Sequence, residues 1–210
     1  MPDDLPVSVN AAGGAAPADE PALPAFYLDL ASPACYLAAE RILTTMPVPV
    51  EWVPIHFAPP PPDDDERRAI AAAARDHGLQ AVRWPPPFDA ERANLTATYA
   101  KSIGRTVAFA LAALRQAYAG GRPLDTDDNI VIAASACEMH PTAVLKTITT
   151  RGPRRALETA TATARERGVT STPAIWVPPA PGTAPGALGR TFHGDERLED
   201  AAAVLGERTV

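Results

Sequence analysis

Cysteine is nearly missing from this 210-residue chain, which has two, Cys35 and Cys137. Two thiols cannot build the dense disulfide framework of a small secreted domain. Aromatic residues are scarce too, at 6%. No basic run alternates with them, so the stacking and phosphate contacts of a nucleic-acid binder have no source. No apolar run approaches the roughly 20 residues of a membrane-crossing helix. Met1-Pro-Asp-Asp-Leu5 has neither the basic start nor the apolar core of a signal peptide. The four histidines, His56, His77, His140 and His193, lack metal-ligand spacing. There is no glycine loop of the phosphate-cradling kind. Asp125 to Asn129 resembles a calcium loop but lacks its glycine and distal glutamate. These absences leave a soluble protein expected in the cytoplasm, with no metal and with neither nucleic acid nor membrane as a partner. Asn94-Leu-Thr96, a glycosylation sequon, has no meaning there.

Proline is what the chain has in excess, 24 residues where the usual usage is about 5%. The prolines cluster between apolar segments and point to stiff loops. At 46% hydrophobic and 21% charged residues, with net charge -6, the length suits one domain with a sizeable core, or one domain carrying an insertion.

Residues 1–24 are rich in Ala, Pro, Gly and acid without periodicity, and are expected to be a flexible tail. Phe26 to Leu30 is a strand. Ser32 then suits a helix N-cap and Pro33 the first helical position, where a missing N–H costs nothing. A helix start of this kind favours an anion through its free N–H groups and dipole. Val48 to Phe57 alternates as a second strand, with prolines that suggest an edge or a bulge. Pro59 to Asp65 leads into a helix, Glu66 to His77, closed by Gly78. After the stiff Trp84-Pro-Pro-Pro-Phe88 loop, Asp89 can cap the next helix. Leu95, Tyr99, Ile103, Val107, Ala110, Leu114 and Tyr118 then recur at helical spacing. Gly104 is placed to split that run and Gly120-Gly121 to end it. Further helices follow: Ile130 to Met139 behind an Asp125–Asn129 cap, one from Pro141, and Pro153 to Arg167. Thr172 to Val177 and Arg190 to His193 are strands joined by a Pro/Gly loop, and Leu198 to Leu205 is a final helix. The order is that of a thioredoxin-like α/β fold with an inserted all-helical subdomain. Residues 25–65 and 151–210 form the thioredoxin-like part and 66–150 the insertion.

Four stretches carry a resemblance to the DsbA-like thioredoxin-fold family, nearest to 2-hydroxychromene-2-carboxylate isomerases and kappa-class glutathione transferases. They are Asp29-Leu-Ala-Ser32-Pro33-Ala-Cys35-Tyr-Leu-Ala, Trp84 to Phe88, Gly168-Val-Thr-Ser-Thr172-Pro173, and Phe192-His-Gly194-Asp-Glu196-Arg197-Leu198. The resemblance aligns Ser32 with the nucleophilic cysteine of a Cys-x-x-Cys oxidoreductase and Cys35 with its partner. It implies catalytic roles for Ser32 and Cys35. It also implies a glutathione-like thiol cofactor held by Thr172, by Pro173 in a cis bond, and by Glu196 at the γ-glutamyl amine. A small hydrophobic electrophile would lie against Trp84, Phe88 and Trp52, and related proteins suggest a homodimer. A serine hydroxyl donating to a bound thiolate contributes roughly 1.5–3 kcal/mol, enough to lower the thiol pKa by one to two units.

Each of these residues also has a plainer reading. Ser32 can be only a helix cap, Cys35 only a small buried residue, Pro173 only a strand leader, and Glu196 only a first-turn acid. The chain also departs from the family's pattern. A proline run and Asp63-Asp-Asp65 stand where the family has polar cofactor-binding residues after the second strand. Thr170-Ser171 replaces the small pair before the cis proline. Two alternatives therefore stand beside the thiol-dependent isomerase or transferase: a thiol-disulfide oxidoreductase using the single Cys35, and a non-catalytic binding module that retains the fold.

Overall fold

The computed structural model describes residues 22–184 and 186–207. The expected tail lies almost wholly outside them. The elements run β1 (Ala25–Leu28), α1 (Pro33–Thr45), β2 (Glu51–Pro54), α2 (Asp64–Asp76), α3 (Glu91–Ser102), α4 (Thr106–Leu114), α5 (Asp127–Ser135), α6 (Pro141–Thr147), α7 (Arg151–Glu166), β3 (Ala174–Val177), β4 (Arg190–His193) and α8 (Leu198–Gly206). A π-helical turn, Arg115–Ala119, extends α4, and a 3-10 turn, Asp195–Arg197, precedes α8.

The four strands order as β2-β1-β3-β4. β1 pairs parallel with β2 and antiparallel with β3, and β3 pairs antiparallel with β4. Every residue of β1 is buried, as befits a central strand covered on both faces. One face of the sheet, with Phe26, Leu28, Ile175 and Phe192, packs on α1, the helical block and α8. The other, with Tyr27, Val53 and Trp176, packs on Ala164 of α7.

β2 is an edge strand and keeps only four of the ten residues expected of it. Pro47, Pro49 and Pro54 cannot donate to a ladder, and an edge is where such residues are tolerated. Trp52 is opposite Phe26 in the register. It packs edge-to-face on that ring, centroids 4.9 Å apart, and is 4% exposed. Trp52 is therefore a core residue and not the substrate wall the sequence suggested, because its strand face points into the main core.

α2 starts at Asp64, two residues before the expected Glu66. Asp63 accepts from the Asp65 and Glu66 N–H groups, and the Glu66 carboxylate accepts from the Asp63 N–H, a reciprocal capping box. Similarly, the cap of α5 is Thr126, whose hydroxyl accepts from the Asn129 N–H. Asp127 and Asp128 fall in the first turn, where the dipole favours them.

Candidate functional site

The turn between β1 and α1 is held from below by a buried carboxylate. Asp29 has no exposed surface. Its Oδ1 accepts from the Ala31 N–H at 3.0 Å and from Asn94 Nδ2 at 2.8 Å. Its Oδ2 accepts from the Phe57 N–H at 2.7 Å and the Ala58 N–H at 3.2 Å. Asn94, on α3, also accepts from the Leu30 N–H at 3.0 Å. One carboxylate and one amide thus tie together the Ser32 turn, the loop after β2 and the helical block. Ala58 sits at φ +48, a conformation disfavoured for a residue with a Cβ, and its N–H is one of those that Asp29 holds. His56 Nδ1 is 3.3 Å from Asn94 Nδ2. The Tyr118 hydroxyl donates to the Ala31 carbonyl at 2.6 Å, and burial pushes its pKa well up.

Sequence reasoning missed this support. Asp29 opened the recognised motif but had no assigned role. The sequence marks Asn94 only as part of a sequon, and the residue is fully buried. The periodicity that marked Tyr118 as a core residue says nothing of a hydroxyl aimed at the turn.

On that base, the Ser32 N–H donates to the Asp29 carbonyl at 2.9 Å and the Cys35 N–H to the Ser32 carbonyl at 3.0 Å. Ser32 occupies the N-cap position of α1, but its side chain does not cap the helix. The hydroxyl donates instead to the Thr172 carbonyl at 2.9 Å, across 140 residues of sequence. The Thr172–Pro173 peptide bond is cis. The plain-cap reading of Ser32 thus fails on geometry, since its hydroxyl joins two turns rather than a helix end.

Cys35 sits behind this contact with no exposed surface. Burial pushes its thiol up to about 12, and hydrogen bonds from the backbone and Ser32 offset only part of that. A thiol held protonated and out of reach is a poor nucleophile. Cys137 is also buried and its thiol is raised for the same reason.

A cleft of about 660 Å³ opens over Ser32 and Thr172. Pro33, Ala34 and Leu37 of α1 form one side, and Ala69, Ile70 and Ala73 of α2 face them. Pro59, Pro60 and Pro62 close one end, while Glu66, Asp195 and Glu196 give the rim its charge, with the His77 imidazole beside them. Gly194, at φ +89, lets the chain turn so tightly that a Cβ there would strike the Glu196 carboxylate. Burial, and then the like charge of Glu196, raises the Asp195 carboxyl pKa; Arg41, 3.4 Å from its Oδ2, opposes the shift.

Ser32, Thr172 and Glu196 therefore meet at one cleft, with Pro173 buried beside Thr172. Trp84 and Phe88 do not line it. They form a separate recess with Ala31, Pro61, Arg67 and Tyr118 that shares Pro62 with the cleft. The Arg67 guanidinium covers the Trp84 ring at 5.4 Å. The apolar wall is instead α2, the first helix of the block expected to be the insertion. A second hollow of about 600 Å³ lies on the other side of Thr172, lined by Phe57, Arg165 and Ser171, and shares Pro59, Pro60 and Thr172 with the cleft.

A four-stranded sheet with a cis-proline turn facing a helix N-terminus, and a helical block inserted between its halves, defines a thioredoxin-fold protein of the DsbA type. The chain belongs to the DSBA-like thioredoxin domain family, which residues 25–206 match. Among solved structures it is similar to a 2-hydroxychromene-2-carboxylate isomerase, at 16% identity over 89% of this chain and 95% of that one, TM-score 0.71. It is similar to a probable DsbA oxidoreductase from Streptomyces coelicolor, at 17% identity over 89% of each chain, TM-score 0.67. It is also similar to the cytosolic disulfide reductase DsbM from Pseudomonas aeruginosa, at 12% identity over 90% of this chain and 98% of that one, TM-score 0.62. No curated protein matches the sequence.

Proposed function

We propose that this protein binds a low-molecular-weight thiol, glutathione or a relative, with its sulfur at Ser32, and uses it as a thiol-dependent isomerase or transferase on a small hydrophobic electrophile. The observation that carries the reading is the cleft itself, where a serine hydroxyl and a helix start meet at the base of an apolar-walled hollow. The N-terminus of α1 favours an anion at Ser32. In the free protein the Ser32 proton is given to the Thr172 carbonyl. A bound thiolate is the stronger acceptor and draws that proton to itself. Leu37, Ile70 and the facing alanines then offer the electrophile an apolar bed. This chemistry fits a cytoplasmic protein with no dithiol to cycle.

Titration of a thiol's ultraviolet absorbance against pH, in the presence of the protein, tests this. The bound thiol is expected to ionise about one to two pH units below the free one, and Ser32→Ala to remove most of that difference. Binding with no shift, or a shift that survives Ser32→Ala, overturns the reading.

A second reading is a non-catalytic binding module. The hydrogen bond from Ser32 to Thr172 supports it, because the hydroxyl is satisfied without any ligand. It is favoured if no thiol binds and Ser32→Ala changes only stability. The Cys35 oxidoreductase gains nothing from the fold's geometry, since its sulfur is buried and protonated.

A further inference from the structure

The charges around the cleft bear on which thiol it takes. Three carboxylates line it, those of Glu66, Asp195 and Glu196, and His77 is the only basic side chain among the lining residues. Arg41 stands behind Asp195, but it also pairs with Glu199, so its charge is divided between two acids. Glu66 is partly engaged by the Asp63 N–H. The base of the cleft is opposite in character, since the start of α1 favours an anion at Ser32. The hollow is thus polarised, anion-favouring at Ser32 and cation-favouring at the rim. The carboxylates do not make the site. The apolar-walled cleft does, and they set its charge.

Resting on the thiol-binding reading above, we infer that the preferred ligand is an amine-bearing thiol with no carboxylate beside its amine. Its thiolate takes the Ser32 end and its ammonium the Glu66–Asp195–Glu196 rim. Glutathione meets this pattern only in part. Its γ-glutamyl end brings an α-carboxylate along with the amine, and no lysine or arginine among the lining residues receives it. Its second carboxylate, on glycine, is better placed, because Arg165 lies in the hollow that shares Pro59, Pro60 and Thr172 with the cleft.

The matched probes are glutathione and 4-aminobutanoyl-cysteinylglycine, which differ only in the α-carboxylate, together with the S-methyl derivative of each. Calorimetric titration of the full chain is expected to show the decarboxylated thiol binding about tenfold tighter than glutathione at low salt. Glu196→Gln is expected to cut that preference to less than about threefold, with Ser32 left intact. Glutathione binding as tightly or more tightly overturns the inference, as does a preference that Glu196→Gln leaves unchanged. The S-methyl pair separates this from the reading on which it rests. If the methylated ligands bind as well as the free thiols and keep the tenfold preference, the thiolate role of Ser32 falls and the charge selection stands. If the free thiols bind better than the methylated ones but show no preference between the two backbones, the thiol reading stands and this inference falls. If none of the four binds, both fall.

Discussion

Two hollows of similar size lie on opposite faces of the sheet, and they are built differently. The cleft over Ser32 rests on turns tied down by a buried network of Asp29, Asn94 and Tyr118. The groove behind the sheet, about 520 Å³, is lined by Tyr27, Glu51, Lys101, Arg155 and Arg167. There, Lys101 pairs with Glu51 at 2.7 Å. Arg167 donates to the Tyr27 hydroxyl at 2.8 Å and lies 3.6 Å over the Trp176 ring. The long side chains of the rear groove thus include two pairs that satisfy each other, Lys101 with Glu51 and Arg167 with Tyr27. In the front cleft the backbone is held in place so that a few short side chains can face outward. Volume does not separate the two hollows; the buried carboxylate that ties the turns together behind the front cleft does.

The largest expected effect comes from breaking the front support. Asp29→Ala leaves three backbone N–H groups and the Asn94 amide without their acceptor. We expect a loss of about 5 kcal/mol in a urea titration. A loss below about 1 kcal/mol would mean that the network is not what holds the turn.

Alkali gives the next effect. The unfolded chain releases the Cys35 proton near its ordinary value of 9.0, while the folded chain holds it to about 12. Deprotonation therefore favours unfolding. Stability is intact below about pH 9 and drains away as pH rises toward 12, by on the order of 4 kcal/mol from this group. Urea midpoints measured across that window should fall less steeply in Cys35→Ala than in the wild type. Equal slopes would show that the thiol is not buried as described.

At the cleft mouth, Ile70→Asp places a fourth carboxylate on the apolar wall. It is expected to weaken binding of any apolar electrophile by about tenfold or more, at a cost of about 1–2 kcal/mol in stability because Ile70 packs partly buried against the main core. Unchanged affinity, measured by competition against a bound apolar dye, would move the substrate bed elsewhere.

The rear groove supplies the smallest effect. Lys101→Ala removes a pair whose members are 37% and 46% exposed. We expect a change within about 0.5 kcal/mol. A much larger one would erase the contrast between the two faces.

How much of this could be read in the sequence depends on the distance over which each feature is decided. The Ser32 turn was legible because its signals are local: a strand, a small polar residue, a proline, then a helix. The order of elements was legible for the same reason. The faces were harder to read. Trp52 lies in a proline-broken edge strand where alternation is too short to assign a face, and pairing with Phe26 settles it. Trp84 and Phe88, expected as substrate walls, line a separate recess from the cleft, and only tertiary packing shows that α2 contributes to both. The Asp29–Asn94 contact spans 65 residues, and no period or motif links the two positions. The Ser32–Thr172 contact spans 140. It could be anticipated only through a resemblance.

The proline run beside the cleft has one more consequence. Pro59, Pro60 and Pro62 have carbonyl oxygens but no N–H. The backbone at that end of the cleft has no proton to give, and the Pro62 carbonyl is already taken by Arg67 Nε at 3.2 Å, so the run cannot pair as a strand edge with an incoming chain. Any hydrogen bond made there must use a hydrogen that the ligand brings.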